Sequence, residues 1–174
     1  MSNIDTVSYN RQGKLFTAAN QSGATVTLIN TSTTTGFVLS NPWGSGKKLV
    51  LVSGQFNYTT VPTATASLFW CLSVSPSSVA HATTTAISIY KADGSGLAGD
   101  SVARAYSAST TPNLPVYTRQ FGYSPTTPAT TGALTFRDYI DGALILVPGA
   151  YLQVSYITTA PVGITDMQWV EVPL

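Results

Sequence analysis

Residues 40–56 read SNPWGSGKKLVLVSGQF, a Gly-Ser-Gly-Lys turn set directly against an apolar, β-branched run. Two kinds of structure can begin this way. In a phosphate-binding loop, backbone amides cradle an anion and the chain continues as a helix; at a strand entry, the glycines only reverse the chain. The phosphate loop needs a glycine five positions before the Gly-Lys pair and a hydroxyl residue after the lysine. Asn41 and Lys48 occupy those places. The run Leu49-Val50-Leu51-Val52 that follows has the composition of a strand, not of a helix that faces an anion. The turn therefore feeds a strand, and nucleotide binding is set aside.

The same pattern recurs on both sides. Alternating or continuous apolar runs at 14–18, 36–40, 47–58, 67–75, 86–90, 116–123, 143–147, 150–157 and 164–172 predict about nine strands. In the last of these, period-two geometry puts Met167 and Trp169 on one face and Gln168 and Val170 on the other. Asn41-Pro42, Asp93-Gly94, Asp141-Gly142 and Pro148-Gly149 supply turns, and helical patterning is almost absent. Longer Ser/Thr/Pro-rich stretches at 59–66, 107–114 and 124–131 are expected as surface loops. Short hairpins mixed with long crossings predict an all-β fold, a two-sheet antiparallel sandwich of the jelly-roll type. An immunoglobulin-like sandwich is disfavoured by the missing Cys, Trp and Cys landmarks and by the length. Residues 1–13 are expected as an N-terminal arm and 14–174 as a single domain, a size that can bury a core of its own.

Composition points the same way. Charged residues make up only 9% of the 174 residues, while Ser and Thr account for about a quarter and provide the polar surface. A net charge of +1, with the basic residues scattered, gives no field to collect nucleic acid or anionic lipid, so neither is expected as a partner. No stretch approaches the length of a membrane span, and the N-terminus lacks a signal-peptide layout, so synthesis in the cytoplasm is expected. Cys71, alone in its kind, reads as a buried thiol.

Candidate chemistry is sparse. His81 is the one histidine, and it sits in a Ser-rich stretch without a nucleophile elbow around any serine, so no metal site or Ser-His-Asp triad is expected. Asp138 and Asp141 in FRDYIDGAL form the nearest carboxylate pair, as a glycosidase would need; Asp141-Gly142 reads better as a reversal and Arg137-Asp138 as a local ion pair on a loop. The expectation is a protein without enzymatic activity or cofactor. Trp70 and Trp169 lie at strand positions suited to a core, whereas Trp43, in a Pro-Trp-Gly turn, is the best candidate for touching a neighbouring chain.

Read together, KLFTAANQSG, FVLSNPWGSGKKLVLVSGQF, LVPGAYLQVSYITTAPVG and the closing MQWVEVPL resemble a family of small virion proteins of tailed bacteriophages. The matching positions are Phe16 and Ala18, residues 41–47, Pro148 and Gly149, and residues 169–173. The resemblance implies a capsid decoration, or cement, protein: a jelly-roll subunit, usually a homotrimer, on the capsid exterior and bound to the major capsid protein. It implies neither cofactor nor reaction. On that reading Tyr9 and Arg11 of the arm, with Trp43, are the candidate partner contacts. The alternative is a virion-borne adhesin or fibre module that recognises host glycans through Trp43 and the long loops.

Overall fold

The computed structural model describes residues 5–60, 64–74, 83–124 and 134–174. The chain opens with a short helix, α1 (Thr6–Arg11), followed by β1 (Leu15–Ala19), β2 (Ala24–Thr25), β3 (Thr27–Leu28), β4 (Thr33–Ser40), β5 (Lys47–Tyr58) and β6 (Ala66–Val74). Next come β7 (Thr83–Ile87), β8 (Ile89–Lys91), β9 (Arg104–Thr110) and β10 (Val116–Ser124). The remaining strands are β11 (Thr135–Tyr139), β12 (Ile145–Leu146), β13 (Ala150–Thr158) and β14 (Val162–Pro173).

The strands form two sheets. The first runs β11-β5-β14-β1-β8, with β12 beside β5 and β2 beside β14; the second runs β10-β6-β13-β4-β9-β7, with β3 beside β13. Among the described pairings only β3 with β13 is parallel. The two sheets pack face to face as an antiparallel β-sandwich with a jelly-roll-like layout, as the strand pattern predicted.

Alternation builds the core. Leu49, Leu51 and Phe56 of β5 and Met167 and Trp169 of β14 turn inward from the first sheet, and Leu68 and Trp70 of β6 and Leu152 and Val154 of β13 from the second. Each such side chain contributes about 1.5–3 kcal/mol by leaving water. Trp70 lies stacked on Phe121, with ring centroids 4.1 Å apart and planes at 11°. That stack is possible because β5 carries glycine opposite it: a Cβ on Gly54 would come within 2.5 Å of Trp70 Cζ2 and 2.9 Å of Met167 Cε. Gly54→Ala is therefore expected to destabilise by about 1–3 kcal/mol through overpacking, read as a lower urea midpoint with an unchanged slope.

Three local expectations change. The run at 86–90, read as one strand, is two: β7 pairs with β9 in the second sheet, β8 pairs with β1 in the first, and Ser88 is the crossing point. Residues 107–110, assigned to a loop, complete β9, a strand of small residues whose Ala105, Tyr106 and Ser109 are buried. Thr135–Tyr139, also missed, is the edge strand β11. Within the expected arm, Asp5 caps α1 by accepting from the Ser8 amide (3.0 Å), and Gly13 ends it at φ +64° with its amide donating to the Asn10 carbonyl. The loop at 124–131 and His81 lie outside the described residues apart from Ser124 itself.

Candidate functional site

The Gly-Ser-Gly-Lys stretch is a strand entry, as its composition predicted. Asn41, at the position a phosphate loop would give to glycine, is fully buried and ties the turn down: its Nδ2 donates to the carbonyls of Lys47 (2.8 Å) and Leu146 (2.9 Å). Its main-chain amide donates to Ala150, and its carbonyl accepts from the Gly149 amide. Residues 41–46 and the Pro148-Gly149 turn are thereby held as one unit at one end of the sandwich.

Trp43 stands at the tip of this unit, 54% exposed, between Pro42 and Gly44. It does not stand alone. The Leu174 amide donates to the Gly46 carbonyl (3.2 Å), and the Leu146 carbonyl held by Asn41 sits between exposed Ile145 and Val147. On the second sheet, Ala150 pairs with exposed Val74, and exposed Val116 pairs with Leu72 two residues back along β6; Asn113, beside exposed Leu114, donates to the Val74 carbonyl. The register thus gathers Trp43, Leu174, Ile145, Val147, Val74, Leu114 and Val116 at the same end. Seven of the fifteen exposed large hydrophobic side chains among the described residues lie at this end, a concentration with the composition of an interface core.

A buried carboxylate stiffens this end. Glu171, 3% exposed, accepts from Ser101 Oγ (2.7 Å) and from the Val102 and Ala103 amides (3.0 and 3.4 Å), and pairs with Lys47 Nζ (2.9 Å). Since Glu171 belongs to β14 and residues 101–103 lead into β9, the clip joins the two sheets.

A second carboxylate does the same elsewhere. Asp138 does not sit on a loop or pair with Arg137: it points inward from β11, accepts from Trp70 Nε1 (3.1 Å) and from Arg119 Nη2 (2.8 Å), and so links β11 to β6 and β10. Arg137 lies instead over the Tyr139 ring, 4.9 Å from its centroid. Asp141 is an exposed turn residue at φ +46°, so the pair expected from FRDYIDGAL divides between interior and surface.

The other sequence candidates fall in different places. Tyr9 is half-buried and Arg11 exposed on α1, which packs beside β1. Trp70 and Trp169 are wholly buried in the core. Cys71 is buried on β6, and burial pushes its thiol from the ordinary 9.0 up to about 11. In the native protein it is expected to resist alkylation at pH 8.5 and to react at once in denaturant, as mass spectrometry would record. Because the unfolded thiol ionises near 9.0, stability is present below that pH and declines as pH rises from there towards about 11. Among the described residues, no His, Cys, Asp and Glu side chains gather in threes as a metal would require, and no helix is long and apolar enough to cross a membrane.

Sequence reasoning found Trp43 but not its companions. Their signal is register, which brings residues about 30 to 130 positions from Trp43 to one end of the sandwich and leaves no local trace.

Fold and surface together define a class: an antiparallel β-sandwich, cross-linked inside by two carboxylates, with one apolar end. Comparison of the chain with protein-family models, with curated proteins and with solved structures gave no match.

Proposed function

We propose that this chain is a structural virion protein, a decoration or cement protein that binds the outside of a tailed-phage capsid as a homotrimer, contacts the major capsid protein and stabilises the shell. The apolar end around Trp43 carries the proposal. A Trp on a turn pinned by a buried Asn, at the end of the sandwich where both sheets also expose aliphatic side chains, supplies the kind of rigid anchor from which interfaces draw most of their energy. The motif resemblance supports the same reading, since the quoted turn and the 169–173 tail are the segments that build this end.

The mechanism is linkage. A subunit that binds intact shell better than ruptured shell shifts the equilibrium towards intact particles, and a trimer holding several sites dissociates slowly through its high effective concentration. Low charge suits crowding, because neighbouring copies repel one another little.

The test is to mix the purified chain with undecorated expanded capsids of the source phage, count bound copies and heat the particles. Saturable binding of hundreds of copies and a higher rupture temperature are expected. Absence of the chain from purified virions, or rupture unaffected by its addition, overturns the proposal. Deletion of residues 2–13, which removes α1, Tyr9 and Arg11, is expected to weaken occupancy while the remaining sandwich stays folded; gel filtration and copy counting read the two effects separately.

A further inference from the structure

On the outer face of the first sheet, α1 roofs a groove of about 640 Å³. Its floor comes from Leu15, Val52, Ser53 and Gln168; its walls carry Asn10 and Arg11 of the helix and Arg137, Tyr139 and Asp141 of the opposite edge. This volume lies within the range of small-ligand sites, roughly 300–1,000 Å³.

Four features define what would fit. Tyr139 remains 69% exposed, although Arg137 stacks on its ring, so an aromatic surface is open to the groove side of the sheet. Two guanidinium groups line the groove with the carboxylate of Asp141, and Asp166, across Gln55 from Arg137, feels the Arg137 charge; among the described residues neither Arg11 nor Arg137 makes an ion pair within 4 Å. Gln168 and Ser53, whose side chains bond only weakly to each other (3.4 Å), offer amide and hydroxyl partners. Asn10 lines the groove beside them, its Oδ1 turned out of solvent and its amide group on the helix side.

We propose that this groove binds a sugar ring bearing a carboxylate. The apolar face of a pyranose packs on an exposed tyrosine, its hydroxyls pair with amide and hydroxyl side chains, and a carboxylate is the group that a guanidinium fork grips best. A bare inorganic anion would leave Tyr139, Gln168 and Asn10 unused. A neutral sugar would leave the Arg11 and Arg137 guanidinium groups without a carboxylate to grip in the groove. The site lies on α1 and the first sheet's outer face and shares none of its lining residues with the apolar end, and its binding does not depend on the chain being a shell protein.

The full chain is titrated with D-galacturonic acid and with N-acetylneuraminic acid, using saturation-transfer NMR, with galactose and inorganic phosphate as comparison probes. At least one acidic sugar is expected to bind about tenfold more tightly than galactose, a difference of one charge-assisted contact, and phosphate at equal concentration is expected not to displace it. Tyr139→Ala and Arg137→Ala should each weaken the acidic sugar by about tenfold or more, with the melting midpoint unchanged because both side chains are exposed. Arg137→Lys, which keeps the charge and loses the fork, should fall between Arg137→Ala and the parent chain. No transfer to either acidic sugar, full displacement by phosphate, or unchanged binding in both Tyr139→Ala and Arg137→Lys overturns the proposal.

Discussion

On the proposed shell-binding role, Trp43→Asp is expected to abolish capsid occupancy at concentrations where the parent chain would saturate it, while leaving the unfolding midpoint where it was. The side chain projects from a turn whose shape is set by Asn41 and by glycines at positive φ, so the fold gives up little when the ring goes. The interface loses a great deal. Truncating a central aromatic anchor costs about 2–4 kcal/mol, some 30- to 1,000-fold in affinity, and an aspartate adds the desolvation of a charge. In a trimer the loss is repeated at every subunit, so avidity falls with it. Cosedimentation with capsids and calorimetry of the free protein measure the two quantities independently. Retained occupancy would mean that the shell is held by another surface.

Glu171→Ala is expected to have the largest effect on stability, about 3–5 kcal/mol, because several buried donors lose their acceptor at about 1–3 kcal/mol each, whereas the partly exposed Lys47 can turn to water. The carboxylate satisfies the Ser101 hydroxyl and the Val102 and Ala103 amides as well as Lys47, so its loss orphans several donors at once. Glu171→Gln keeps the shape and one acceptor and should fall between the two. With roughly 2–4 °C of melting temperature per kcal/mol at this chain length, the alanine variant should melt about 6–20 °C lower. It should also expose residues 101–103 to hydrogen exchange before the rest of the sandwich.

Much of this architecture was legible in the residues because strands write themselves locally. The run at 47–58 marks both ends of β5: a turn precedes it, and apolar side chains alternate along it. What escaped notice has a physical reason in each case. Thr-Phe-Arg-Asp-Tyr looks like a polar loop until Asp138 is seen to face inward, where Trp70 and Arg119 meet its carboxylate. Arg-Ala-Tyr-Ser-Ala-Ser-Thr carries few apolar side chains among its Ser and Thr residues, so β9 is marked chiefly by its pairing between β4 and β7. The change of sheet at Ser88 is a matter of tertiary pairing alone. At the candidate site, a lone tryptophan on a turn was readable, since nothing nearby in sequence could cover it. Its aliphatic neighbours and the groove beneath α1 depend on which strands lie side by side.

That order of strands has a consequence for how the protein is made. β14 lies between β5 and β1 at the middle of the first sheet, yet more than a hundred residues separate it from β5. During translation β5 therefore waits with its apolar flank bare until β14 leaves the ribosome, and the first layer closes late, in one step. Nascent chains halted before β14 should stay open to chaperones and to one another, so the stage most prone to aggregation falls before release.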